Sequence, residues 1–437
     1  MDATWAGIIG ITVMICLFMT RMPVAYVMML TGFVGFSLLT SWKGGLNLLS
    51  RNIYDVFSSY SLSTIPLFIL MGQLAFNCGI SRRLYNTANH FLGHIQGGLA
   101  MATVSACTAF GAVCGSSPAT AATMATVGIP EMKRYGYANS LAAGSVASGG
   151  GLGMIMPPSV VLIVYGVLTE QSIGALFVSG ILPAILLTVL FVVAVYIQCK
   201  RRPELGPAGD RFTTAQKLKS LLGLMDTLII FALVIGGMFF GWFTPTEAAS
   251  IGVLGIIVLS LVKRQLTWQG FLNSLFETLR TSAMVLFLVA GAVVFGKFLA
   301  VTRIPFNVAS WVAGFDLPSF MIMAIIIAIF FLGGCLMDAL ALIMLTIPVF
   351  YPVVAGLGYD PIWFGVIIVL VTQMGVITPP VGINVYVVYG ISQKIDPSIT
   401  LEEIFKGIMP FLAAIITGIA LLFIFPQIIL YLPSLMY

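Results

Sequence analysis

Apolar residues run through this chain in long continuous blocks rather than in alternation. Blocks at 3–19, 22–40, 61–80, 175–198, about 224–242, 246–262, 281–300 and 408–431 read as helices that cross a bilayer, which takes roughly 20 residues. Their continuity excludes a β-barrel, whose strands alternate apolar and polar positions. Residues 97–132 form two arms around Gly115-Ser116-Ser117-Pro118, each shorter than a full span, and predict a re-entrant helical hairpin. A second hairpin is expected at about 317–354, turning at Gly333-Gly334-Cys335. Two further blocks, 137–168 and 361–390, are interrupted by the same motif: Gly153-Met154-Ile155-Met156-Pro157-Pro158 and Gly375-Val376-Ile377-Thr378-Pro379-Pro380. Proline removes an amide donor and clashes with the preceding turn, so both blocks are expected to be broken helices. Backbone freed at membrane depth is tolerated only inside protein or against a cavity.

The two halves match beyond the double prolines. Leu67-Phe68-Ile69-Leu70-Met71-Gly72 parallels Leu286-Phe287-Leu288-Val289-Ala290-Gly291, and Ile129-Pro130 parallels Ile347-Pro348. Amphipathic segments at about 46–58 and 268–280 precede the third span and its counterpart. Each half therefore reads span, hairpin, broken helix, span. The predicted division is N-terminal scaffold helices at 1–60, a first repeat at 61–198, a linker at 199–220, scaffold helices with an amphipathic segment at 221–280, and a second repeat at 281–437.

Composition and charge sharpen this picture. Of 437 residues 59% are hydrophobic and 8% charged, which describes a polytopic helical membrane protein. With the linker in the cytoplasm, sixteen of the twenty Lys and Arg fall on that side, among them Arg21, Lys133, Lys200, Lys263 and Lys406, while Lys43 and Arg51 lie outside. The bias holds only if both hairpins re-enter, which makes the repeat an inverted one and puts both termini in the periplasm. The net charge of +5 comes from these loops and points to no nucleic acid. The N-terminal block lacks the basic flank and small-residue site of a cleavable signal peptide. The six cysteines form no Cys-x-x-Cys pair. His90 and His94, spaced i,i+4, have no third ligand nearby and read as an interfacial loop pair. No P-loop, catalytic triad or metalloprotease helix is present, which speaks against ATP-driven transport by this chain and against an enzyme.

Inverted repeats with breaks near the midplane describe a secondary carrier. The first tip, Cys114-Gly115-Ser116-Ser117-Pro118-Ala119-Thr120, faces the break at Ser148-Gly149-Gly150-Gly151-Leu152-Gly153. Hydroxyls and carbonyls there suit a hard cation such as sodium; small residues also serve close helix packing. The second tip, Gly333-Gly334-Cys335-Leu336-Met337-Asp338, pairs with Thr372-Gln373-Met374-Gly375 and Thr378. Asp338 is a rare intramembrane acid, suited to hold a cation, take a proton, or offset a helix dipole. Lys297 and Arg303 either meet an anionic substrate or snorkel to the interface. Ser159, Asn384 and Tyr386 follow the breaks and offer hydrogen bonds to substrate. Thr244-Pro245-Thr246-Glu247 is a capping box with proline at the first helical position.

The chain resembles, over nearly its whole length, the large membrane subunit of tripartite ATP-independent periplasmic (TRAP) transporters, the DctM-like family. The specific elements are Gly241-Trp242-Phe243-Thr244-Pro245-Thr246-Glu247-Ala248-Ala249 and Leu332-Gly333-Gly334-Cys335-Leu336-Met337-Asp338, with Thr378-Pro379-Pro380-Val381-Gly382 and Arg21-Met22-Pro23-Val24-Ala25. The resemblance implies an elevator-type carrier of the ion-transporter superfamily in the bacterial inner membrane, driven by sodium as coupling ion and importing organic acids such as C4-dicarboxylates or sialic acids. It implies a separate small membrane subunit (DctQ-like) and a periplasmic substrate-binding protein (DctP-like). Carried over by position, the sodium ligands are Ser116, Ser117, Thr120, Gly150 and Gly153 in one half and Gly333, Asp338, Thr372, Gly375 and Thr378 in the other. The substrate residues expected are Ser159, Lys297, Arg303 and Asn384; no catalytic residue and no metal beyond sodium is expected. The alternative is a stand-alone sodium-coupled divalent-anion carrier that needs no binding protein.

Overall fold

A computed structural model describes residues 3–20, 22–313 and 318–436, with the backbone alone at 309 and 311–313. Arg21 of the expected early break, residue 317 at the start of the expected second hairpin, and the extreme ends lie outside the described residues. Among those described, all regular structure is helical. The first half runs α1 (Ala3–Phe18), α2 (Val24–Leu39), α3 (Trp42–Ser58), α4 (Thr64–Asn77), α5 (Ile80–Leu92), α6 (Gly98–Cys114), α7 (Ser117–Arg134), α8 (Asn139–Ile155), α9 (Val160–Thr169) and α10 (Ile173–Arg201). The middle holds α11 (Thr214–Phe231), a π-helical segment (Ala232–Gly236), α12 (Gly237–Phe239) and α13 (Pro245–Val262). The second half comprises α14 (Trp268–Thr302), α15 (Ile304–Ala313), α16 (Ser319–Gly334), α17 (Ala339–Gly356), α18 (Pro361–Gly375), α19 (Ile383–Ile395), α20 (Leu401–Ile424) and the short α21 (Gln427–Leu430).

Two helices flank each expected tip, α6/α7 and α16/α17, and two flank each double proline, α8/α9 and α18/α19. The halves differ at their entrances. In the first, α3 bends by 57° into α4 across Ser61–Ser63. In the second, 268–280 and 281–300 are one uninterrupted 35-residue helix, because no proline or serine cluster comparable to Ser58–Pro66 separates them. Residues 80–92, including His90, form the helix α5 instead of a loop, since its apolar face of Ile80, Leu84 and Tyr85 is buried against its neighbours α6 and α11. Helices extend into both ends of the expected linker, leaving 202–213 between α10 and α11. The capping box at Thr244 forms as expected: its hydroxyl accepts from Glu247 N and the Glu247 carboxylate accepts from Thr244 N at 2.8 Å.

Seven helices or helix pairs among the described residues are long and apolar enough to cross a membrane. The α8/α9 pair is 89% buried over its apolar window, against 39% for α13 and for α20, so the first broken helix is the centre of the molecule. Hairpin α6/α7 and α20 pack around α8. The halves interlock: α7 packs on α19 and α17 on α9, so each hairpin's second arm rests on the other half's post-break arm. Tyr165 of α9 donates its hydroxyl to Pro361 O at 2.6 Å, a further tie across the halves. A second layer joins α2, α4 and α14, with α13 on α4, and reaches the hairpins through α4 on α6 and α14 on α17. Polar pins close one end. Asp226 meets Lys263 at 2.6 Å and Arg83 at 3.5 Å, linking α11, α13 and α5. Lys133, in the last turn of α7, meets Asp396, the C-cap of α19, at 2.8 Å.

Candidate functional site

Each hairpin turns where helix formers give way to residues that tolerate an end. α6 stops at Cys114 with Gly115 in the left-handed region at φ 64°, and Pro118 occupies the first turn of α7, where no amide partner is needed. At the second tip Asp338 caps α17, its carboxylate accepting from Leu340 N at 3.0 Å. The breaks are stitched by hydroxyls. Ser159 donates to Met154 O and accepts from Leu162 N, capping α9. Thr378 donates to Met374 O at 2.7 Å, and Gly382, at φ 62°, opens α19. In both breaks the bond between the two prolines is cis.

Tip and break meet in each half at backbone distance. A methyl group added at Gly153 would fall on the Thr120 hydroxyl and lie 3.1 Å from Ser116 O; one at Gly150 would lie 2.5 Å from Ala121 Cβ. One at Gly375 would lie 2.5 Å from the Gly334 carbonyl carbon. At the first junction the C-terminal ends of α6 and α8 converge, and at the second those of α16 and α18. The last carbonyls of a helix lack partners within it and carry partial negative charge, so each junction is suited to a hard cation.

The opposite ends of the broken elements share one cavity of about 300 Å³. Its lining includes Ser117, Val160, Ala339 and Ile383, the first residues of α7, α9, α17 and α19. Four positive helix ends therefore border one space. Polar side chains in the lining are Ser116, Ser117, Asp338 and Asn384 with Gln73 of α4 and Thr281 of α14. Among the described residues Asp338 is the one acidic side chain there, and no Lys or Arg borders the cavity. Asn384 is fully buried and donates to Ser117 Oγ at 2.7 Å and Ala147 O at 3.2 Å, which fastens the first tip to the second half.

Of the residues singled out from sequence, Ser116, Ser117, Asp338 and Asn384 thus line the cavity. Thr120, Gly150 and Gly153 lie at the first junction behind it. Gly375 lies at the second junction with Thr372, whose carbonyl is 3.3 Å from a methyl placed on Gly334 and whose hydroxyl bonds back to Val369 O at 2.9 Å. Thr378 closes the break beside them, and Gly333 packs on Leu342 of α17. Ser159 is absent from the lining because its hydroxyl is spent within the break. Lys297 and Arg303 are not brought to this cavity. α14 is uninterrupted, and the helical rise puts Lys297 about 24 Å along it from Thr281. Both basic residues border a separate cavity of about 670 Å³ with Pro305, Pro348 and Pro352. Gln73 and Thr281 were missed; Gln73 carried a signal, as one of two amides, with Asn77, within an apolar block. Among the described residues no group of three His, Cys, Asp or Glu side chains could hold a metal ion.

The family model described as "Tripartite ATP-independent periplasmic transporter, DctM component" matches residues 11–428. The chain is 35% identical over 389 residues to the C4-dicarboxylate TRAP transporter large permease protein DctM of Pseudomonas aeruginosa, covering 88% of this chain and 89% of that protein. It is 34% identical to the sialic acid TRAP transporter large permease protein SiaM of Vibrio cholerae, covering 95% of each. It is 30% identical to the ectoine/5-hydroxyectoine TRAP transporter large permease protein UehC of Ruegeria pomeroyi, covering 97% of each. The fold is similar to the crystal structure of the Alcanivorax borkumensis YdaH transporter, with a TM-score of 0.66 at 15% identity over 89% of this chain and 90% of that one.

Proposed function

We infer the function from one premise: this chain belongs to the DctM component family of tripartite ATP-independent periplasmic transporters, as a multi-pass membrane permease and not an enzyme. We propose that it is the large membrane subunit of a sodium-driven importer of small organic acids in a bacterial inner membrane. The observation that carries the reading is the single cavity bordered by four helix N-termini, flanked by two junctions of helix C-termini. Helix N-termini favour a carboxylate, and converging carbonyls favour sodium. This division explains how an anion site can lack Lys and Arg. Sodium at the two junctions supplies the remaining positive charge, and Asp338 turns its carboxylate to its own helix end.

In this reading Ser116, Ser117 and Asn384, with Gln73 and Thr281, hydrogen-bond the substrate. Ser116, Thr120, Gly150 and Gly153 contribute oxygens or close approach at the first sodium site. Gly333, Thr372, Gly375 and Thr378 do so at the second. Lys297 and Arg303 take no direct part in the central cavity. The interlocked hairpins and broken helices move as one body against the layer of α2, α4, α13 and α14, an elevator stroke that carries the cavity across an inverted repeat. The partners are a small DctQ-like membrane subunit and a DctP-like periplasmic binding protein, with both termini of this chain on the periplasmic side. The substrates named for relatives, C4-dicarboxylates, sialic acid and ectoine, are compact solutes bearing a carboxylate, and that group is what the cavity is proposed to read.

The test is uptake into proteoliposomes holding this chain and its small partner. Labelled succinate, sialic acid and ectoine are offered under an inward sodium gradient, with and without the cognate periplasmic protein. Uptake requiring both sodium and that protein is expected. Uptake by this chain alone would instead support the stand-alone carrier, and uptake indifferent to sodium would overturn the coupling.

A further inference from the structure

We propose that Gln373 couples the two tip–break junctions, so that binding at one strengthens binding at the other. The proposal rests on the sodium reading above. Gln373 stands in α18 directly after Thr372 and two residues before Gly375, within the second junction. It is fully buried, and neither its amide nitrogen nor its amide oxygen has a hydrogen-bond partner. It rests on α8: a methyl added at Gly151 would lie 2.8 Å from both its Cγ and its Nε2. Gly151 stands between Gly150 and Gly153 of the first junction. One side chain thus bears on the backbone from which each junction is built.

Two further buried groups share the same unfilled capacity. Ser148 Oγ, one turn before Gly151 in α8, and Asn384 Oδ1 are also buried without partners. Asn384 Nδ2 holds the carbonyl of Ala147, next to Ser148. An amide with both ends unpaired in a dry interior is unfavourable, and an apolar side chain of similar volume, such as methionine, would fill the same space without that loss. What the amide adds is a dipole that can turn. Its oxygen is attracted to positive charge at one junction, and its NH2 group to the carbonyls of the other. Both junctions therefore bias one element. When one is filled, the amide and the α8–α18 crossing are already ordered, and filling the other takes less ordering, which is positive cooperativity without a large structural change.

The experiment measures uptake against sodium concentration in proteoliposomes with the small partner and the periplasmic protein, alongside the sodium-induced rise in unfolding temperature of the purified complex. The intact protein is expected to respond sigmoidally, with a Hill coefficient approaching two, the number of coupled sites. Gln373→Met is expected to lower the coefficient and raise half-saturating sodium about fivefold or more. Gly151→Ala, which displaces the amide from the other side, is expected to shift both in the same direction and serves as the decisive variant if Gln373→Met folds poorly. A substituted protein with an unchanged Hill coefficient and half-saturation would overturn the coupling role, since a space-filling residue tolerates methionine. Sodium dependence that is hyperbolic in the intact protein would overturn the coupling alone; no sodium dependence would overturn it together with the sodium reading.

Discussion

Gly375→Ala adds a single methyl group where α18 meets the end of α16. That methyl would lie 2.5 Å from the Gly334 carbonyl carbon, 2.6 Å from Gly334 Cα and 2.9 Å from Cys335 N. All three are backbone atoms, so no side chain can swing aside. Ordinary carbon contacts begin near 3.5 Å, so the two helix ends must separate by about 1 Å. Overpacking of this kind costs roughly 1–3 kcal/mol in stability. The effect on the junction is larger in relative terms, because hard cations hold their oxygens within a few tenths of an ångström. Half-saturating sodium is expected to rise at least about tenfold, or ~1.4 kcal/mol. Uptake in proteoliposomes gives the sodium response, and thermal unfolding gives the stability. Gly390→Ala in α19 is the control: nothing stands within 4 Å of a methyl there, and a gain of about 0.5–1 kcal/mol is expected. Unchanged sodium half-saturation in a folded Gly375→Ala protein would refute the argument, leaving the close approach a packing feature.

Asn384→Ala removes the bonds to Ser117 and Ala147, leaves a buried hydroxyl unpaired, and is expected to lower stability by about 1–3 kcal/mol and reduce uptake, read by thermal unfolding and transport. Asp226→Asn leaves Lys263 and Arg83 without their shared acid; because both cations are partly exposed, the loss is expected to stay near about 1–2 kcal/mol in unfolding measurements. Lys133 beside Asp396, first by hydrogen bond, holds that loop carboxyl down at about 2. A carboxyl depressed in the folded state adds stability above its unfolded value near 3.9 and loses it as pH falls toward 2. The unfolding temperature of the intact protein is therefore expected to drop between about pH 4 and pH 2 more steeply than that of Lys133→Met.

The local breaks were legible because proline, glycine and small polar residues end helices by their own stereochemistry wherever they occur. Gly115-Ser116, Gly333-Gly334 and the two double prolines therefore mark both tips and both breaks. The capping box at Thr244 follows from the same short-range hydrogen bonding. The continuity of α14 was harder to anticipate. Helix continuity depends on the absence of a breaker, and the amphipathic stretch at 268–280 suggested a separate element. The charge of Lys297 left both a substrate contact and snorkelling open, and its height on that helix keeps it in another cavity.

By itself, the amino-acid sequence determined that this is a helical membrane protein of two matching halves, with polar tips and breaks in each. Those properties follow from hydrophobic run length and from residues that cannot continue a helix. The tertiary structure decided which of these pieces meet. It brought Asn384 of one half to Ser117 of the other, and it aimed four helix N-termini at one cavity. It also placed Gln373 on Gly151 between the junctions. Asn384 and Ser117 are 267 residues apart in the chain and Gln373 and Gly151 are 222 apart, and local preference carries no information about such pairings. They are set by how whole helices fit together, with glycine permitting the closest crossings.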